Sequence, residues 1–100
     1  MTPYTQGVWM VKPGRADEFV AAWSDFAQWT KDNVPGALWV KLLRDVDNEN
    51  RFVTIGPWAS TDAIDRWRSL DGWRERVARV RQLLDGFEPA TLEAVVELDE

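Results

Sequence analysis

The chain has no cysteine and no histidine. The first absence excludes disulfides and thiolate metal sites. The second removes the commonest metal ligand and the usual acid–base group near neutral pH. Positive charge is in the minority: 12 Lys and Arg against 17 Asp and Glu give a formal net charge of −5. That balance argues against nucleic acid as a partner. No apolar run approaches the roughly 18 residues that a membrane-spanning helix needs. The opening residues show no basic region followed by an apolar stretch, so they do not read as a signal peptide. A soluble cytoplasmic protein with no membrane partner is the expectation. No linker, repeat or low-complexity stretch interrupts the sequence, so residues 1–100 are expected to form one domain.

What the chain does have is apolar and aromatic. Hydrophobic residues make up 45% of it, and seven are tryptophan, each with a large buriable area. Small domains are marginally stable, so pairing with a second copy would help.

The patterning predicts a strand over residues 4–11. Thr5, Gly7, Trp9 and Val11 fall on one face, and Tyr4, Gln6, Val8 and Met10 on the other. A turn follows at Lys12-Pro13-Gly14. Residues 17–31 read as a helix, with Phe19, Trp23 and Phe26 in one apolar stripe and acids in the first turn. Residues 37–43 read as a second strand, 45–50 as a polar loop, and 51–58 as a third strand that closes a hairpin. Ser60 and Asp62 mark a helix start, and Ala63 to Ser69 a short helix. Asp71 is expected to cap a further helix carrying Trp73, Val77, Val80 and Leu84, stopped by Gly86 and Pro89. Residues 92–98 alternate as a last strand.

The order β-α-β-β-α-β is that of the ferredoxin-like fold: a four-stranded antiparallel sheet with helices on one face. The other face still carries Val8, Met10 and Val96. An uncovered apolar sheet is a liability in a monomer, so a homodimer with sheets packed face to face is expected.

Conventional chemistry finds little support. Asp45, Asp47 and Glu49 alternate like calcium ligands, but the loop lacks the glycine and distal glutamate of an EF-hand and reads as a solvated hairpin. No metal site is expected. Arg66, Arg68, Arg74, Arg76, Arg79 and Arg81 could hold an anion, but Asp65 and Glu75 lie among them, and a solvated, salt-bridged face is the simpler reading. Ser24, Ser60 and Ser69 have no histidine to activate them, and no phosphate loop or dinucleotide fingerprint is present. The tryptophans remain. Trp23, Trp29 and Trp73 sit on helical stripes and read as core. Trp58 and Trp67 are expected to border a gap between sheet and helices, with the Asp71-Gly72 break leaving room beside Trp67.

The stretches "VKPGRADEF", "VPGALWVKLLRD", "NRFVTIGPWASTDAIDRW" and "FEPATLEAVVEL" together resemble the antibiotic biosynthesis monooxygenase family of dimeric ferredoxin-like domains, over nearly the whole chain. "PWASTDAIDRWRS" is similar to its most recognisable segment: a tryptophan closing the third strand, a Ser cap, then a helix. Members of known activity oxidise polyketide phenols to quinones with molecular oxygen and no metal or flavin, or degrade heme. For the quinone-forming branch the resemblance places its strand-end tryptophan at Trp58, and its asparagine and tyrosine at Thr54 and Ile64. For the heme branch it places the pocket tryptophan at Trp67, the axial histidine at Val77 and an asparagine at Gly7. With no histidine, no heme is expected. The resemblance thus implies a cofactor-independent monooxygenase for a flat, electron-rich aromatic. Trp58, Trp67 and Trp9 would position the ring, and Thr54 would hydrogen-bond its oxygen; Trp58, Trp67 and Thr54 are also the candidates for a catalytic part. The alternative is a non-catalytic small-molecule-binding or structural homodimer of the same fold.

Overall fold

The computed structural model describes residues 2–98. The strands are β1 (Pro3–Val11), β2 (Lys41–Asp45), β3 (Asn48–Pro57) and β4 (Leu84–Glu93), and the helices α1 (Ala16–Asn33), α2 (Thr61–Ser69) and α3 (Asp71–Arg81). The strands form one antiparallel sheet in the order β2-β3-β1-β4, the ferredoxin-like arrangement. None of the described helices is long and apolar enough to cross a membrane.

Strand alternation sets the layers. Trp9 and Phe52 stand opposite each other on β1 and β3 and pack with Val11, Phe19 of α1 and Val80 of α3 into the main buried cluster. A second cluster, of Val34, Trp58, Ala63 and Ile64, closes the other end of the layer. On the sheet's other face Val8, Met10, Val53 and Ile55 are half-buried, while Leu43 and Leu92 are 49% and 44% exposed. Ser60 caps α2 as expected, its hydroxyl accepting from the Ala63 N–H at 3.2 Å. The polar hairpin is held by Asp45, which pairs with Arg51 and accepts from the Asp47 N–H.

The third strand begins at Asn48 rather than residue 51, so the expected loop 45–50 narrows to a tight turn, and three further boundaries differ more from the sequence reading. The last strand is Leu84–Glu93, not residues 92–98, because β1 offers a full edge: Leu84 pairs with Val11 and Glu93 with Pro3. Leu84 therefore belongs to β4 rather than to the helical stripe. Gly86 and Pro89, read as helix stops, lie inside this strand, which tolerates proline because it is an edge. Beyond it Ala94 still donates to the Thr2 carbonyl at 3.0 Å, but Val95, Val96 and Leu98 are 74%, 74% and 87% exposed. Their alternation has no strand left to pair with. The second strand begins at Lys41 rather than residue 37; ahead of it Ala37 makes an isolated bridge to Trp58 and the Leu38 N–H donates to the Pro57 carbonyl at 3.4 Å. Residues 38–40 cross over Gly56, where a Cβ would lie 2.4 Å from the Trp39 carbonyl oxygen. Third, the helix break falls at Leu70, whose ψ of 141° is extended; Asp71 lies in the first turn of α3 and makes no side-chain cap.

Gly72 serves a different purpose from the one expected. A Cβ there would sit 2.3 Å from Trp29 Cζ2, so the glycine admits the Trp29 ring, while the open space beside Trp67 belongs to a cavity that Trp73 also lines. That ring is held between Phe26 and the Arg76 guanidinium, 4.7 Å from its centroid, and cannot easily yield. Gly72→Ala is expected to destabilise the fold by about 1–3 kcal/mol through overpacking, despite the better helix propensity of alanine. Thermal unfolding checks this; an unchanged or raised Tm would contradict it.

Candidate active site

Trp9, Thr54, Trp58 and Trp67, singled out from the sequence, all line one cavity of about 670 Å³. Helical spacing builds two of its walls. Trp23, Ala27 and Lys31 recur every fourth residue on α1, as do Trp73, Val77 and Arg81 on α3, and all six face the cavity. The sheet supplies the floor: Thr5, Gly7 and Trp9 of β1, Thr54 and Gly56 of β3, and Phe87 of β4. The exposed residues Leu38, Trp39 and Val40 line it too, so it opens to solvent there. A volume of this size falls within the range of ligand pockets, roughly 300–1,000 Å³.

The indoles are fixed by a repeated device. Trp9 Nε1 donates to Thr54 Oγ1 at 2.7 Å, Trp58 Nε1 to Thr5 Oγ1 at 2.9 Å, and Trp67 Nε1 to Thr30 Oγ1 at 3.0 Å. Each pair joins different elements, so each ring is locked across the cavity wall. A hydroxyl that accepts from an indole keeps its own proton to donate. Thr5 and Thr54 are half-buried on the floor, so their O–H groups are donors available to a ligand oxygen.

The rings also brace one another. Trp58 and Trp67 lie with centroids 4.9 Å apart, Phe26 stacks on Trp67 at 5.6 Å, and Trp9 stacks on Phe87 at 4.1 Å. Trp58 is only 5% exposed and belongs to the second core cluster, so it is core and cavity wall at once. Trp73 departs from expectation. It is half-buried rather than plain core, lines the cavity, and meets Trp67 edge-on at 6.1 Å. Its Nε1 is buried without a hydrogen-bond partner; an edge-on ring is the setting in which an N–H can face a π cloud. Trp23 packs against the main buried cluster, as the core reading expects, and lines the cavity as well. Trp29 does not line it.

Ile64 is 1% exposed and packed against Trp58, so a hydrocarbon stands where the family resemblance places a tyrosine. Val77 and Gly7 line the cavity. Thr5, Thr30 and the two lining arginines, Arg68 and Arg81, were not singled out as site residues by the sequence reading. A signal for Thr5 was present, since it shares a strand face with Trp9.

The match to known families decides the lineage. The family model described as antibiotic biosynthesis monooxygenase matches residues 4–79. The chain belongs to that family. No curated protein matches the sequence. Among solved structures, this family member is similar to SnoaB of Streptomyces nogalater, a cofactor-independent oxygenase. The identity is 25% over the whole of both chains, with a TM-score of 0.88. A single-residue variant of SnoaB superposes with a TM-score of 0.91, covering 99% of this chain and 98% of that one. A Caulobacter crescentus protein assigned to the antibiotic biosynthesis monooxygenases is 26% identical, with a TM-score of 0.86 over 95% and 91% of the two chains.

Proposed function

We propose that this family member is a cofactor-independent monooxygenase that oxidises a flat, electron-rich phenol of polyketide type within the tryptophan-lined cavity. The observation that carries the reading is the combination of ring-shaped walls with directed donors: Trp9, Trp58 and Trp67 locked by threonines, and the Thr5 and Thr54 hydroxyls free to donate. SnoaB's own description as a cofactor-independent oxygenase supports the reaction class. In an anthrone the reacting carbon is a methylene. One oxygen atom of O2 becomes its new carbonyl, and the other leaves as water with the two hydrogens. The substrate supplies all the electrons, so the chain has only to bind, orient and stabilise it. Thr54, and beside it Thr5, would hydrogen-bond the phenolate oxygen and favour the electron-rich, deprotonated form. Among the described residues no carboxylate lines the cavity, and the proton leaves to solvent through the open side.

Oxygen uptake tests this. Chelator-treated protein with dithranol is expected to consume one O2 per anthraquinone formed, well above the spontaneous rate. Binding of dithranol without uptake would favour the non-catalytic alternative on the same fold.

Trp67→Phe keeps a ring against Phe26 and Trp58 but gives up the bond to Thr30. It is expected to weaken aromatic binding several-fold, read by fluorescence quenching, with about 1 kcal/mol of stability lost. Unchanged affinity would remove Trp67 from the site.

We also propose that the chain works as a homodimer. Val8, Met10, Leu43, Val53, Ile55 and Leu92 leave the outer sheet face apolar and uncovered by any described helix, and a self-complementary two-fold contact would bury it. Sedimentation equilibrium at micromolar concentration should give twice the chain mass; a monomer would contradict the pairing.

A further inference from the structure

Of the six arginines of α2 and α3, three pair with acids, two line the cavity, and Arg66 does neither among the described residues. Arg74 pairs with Asp71, and Arg76 and Arg79 both approach Asp25, at 3.6 and 3.7 Å; none of the three lines the cavity. Arg68 and Arg81 line it and form no ion pair among the described residues. Lys31 lines it as well, next to Thr30, whose hydroxyl bonds Trp67, the neighbour of Arg68. In a chain with 17 acids and 12 bases, three cations and no acid face this one cavity among the described residues. Arg68 is the most enclosed of them: it is half-buried, and its recorded side-chain partner is the neutral Thr91 hydroxyl at 3.4 Å. A guanidinium has five donors and no acceptor. One long bond to a neutral oxygen leaves most of them unused in a partly desolvated setting.

We infer that the cavity selects an aromatic bearing a carboxylate, and that Arg68 is the residue that grips it. This rests on the proposed aromatic-binding role of the same cavity. A planar guanidinium matches a carboxylate with two parallel N–H bonds. Arg68 reaches from α2 to the Thr91 hydroxyl of β4 and lines the same cavity as the Trp67 ring on which the aromatic would lie. The anionic group is thus held at one end while the ring stays among the tryptophans. Lys31 adds positive potential nearby. Arg81 stands at the far end of α3, ten residues or roughly 15 Å along the helix from Asp71, and serves the general field more than the grip.

The test compares anthraquinone carboxylate with its methyl ester by quenching of tryptophan fluorescence, in the wild type and in Arg68→Gln, Arg68→Lys and Arg81→Gln. The acid is expected to bind at least tenfold tighter than the ester, and that preference should shrink with added salt while the ester is unaffected. Arg68→Gln should remove the preference and leave ester affinity intact. Arg68→Lys, which keeps the charge and loses the planar fork, should retain only part of it, and it serves if the glutamine variant fails to fold. Arg81→Gln should lower it about twofold. Equal binding of acid and ester by the wild type would overturn the inference and leave the aromatic site standing. A preference that survives Arg68→Gln would overturn the assignment to Arg68. If neither compound binds, the aromatic reading of the cavity fails and this inference fails with it.

Discussion

Trp58→Ala is expected to lower stability by about 3–5 kcal/mol, the range for truncating a large buried aromatic. Trp58 is 5% exposed and packs with Val34, Ala63 and Ile64. Its loss would also take the indole donor from Thr5 and the ring contact from Trp67. For a domain of this size each kcal/mol moves Tm by roughly 4–8 °C, so calorimetry should show a fall on the order of 15–30 °C. A domain of ordinary stability, about 5–15 kcal/mol, would be left barely folded at 37 °C. A loss below 1 kcal/mol would mean that the ring is only a cavity wall.

The second large effect is on turnover. Thr54→Val is nearly isosteric and removes the hydroxyl that accepts from Trp9 and, in the proposed reaction, donates to the phenolate. Deleting one preorganised donor to a developing oxyanion typically costs 10²–10³-fold in rate, and a kcat reduction of about that size is expected with dithranol. Stability should fall as well, by about 1–3 kcal/mol, because the Trp9 N–H loses its partner in a largely buried place. The two effects separate in Thr54→Ser. That variant keeps the hydroxyl and should retain most of the rate. Full turnover in the valine variant would exclude Thr54 from the chemistry.

Periodicity made the order of elements legible. The face carrying Trp9 and Val11 and the stripe carrying Phe19 were enough to predict a ferredoxin-like sheet with helices on one side. The last strand shows the limit. Residues 92–98 alternate well, yet a strand needs a partner, and β1 is already paired with Leu84–Glu93. Gly86 and Pro89 look like stops in isolation, and only their place on an edge strand makes them acceptable. The site was legible in its rings and not in what holds them. The three Trp–Thr bonds span 45, 53 and 37 residues, beyond the reach of any local pattern. Trp73 misled for another reason: a helical stripe shows which residues turn inward, but not whether the space they meet is filled. Gly72 belongs to the same class, its neighbour Trp29 being more than forty residues away. The arginine cluster reads as one solvated face in sequence because spacing alone cannot tell Arg68 from Arg74.

Core and pocket prove to be compatible places for a tryptophan: Trp58 closes a buried cluster and also lines the cavity. The central claim is that a flat aromatic occupies that cavity, and a crystal structure of the protein soaked with the quinone product of dithranol tests it most directly. The ring system is predicted to lie between the sheet and the helices, against Trp58 and Trp67, with a quinone oxygen within hydrogen-bond distance of Thr54 Oγ1. A ligand bound only on the outer sheet face, with the tryptophan-lined cavity empty, would contradict the account.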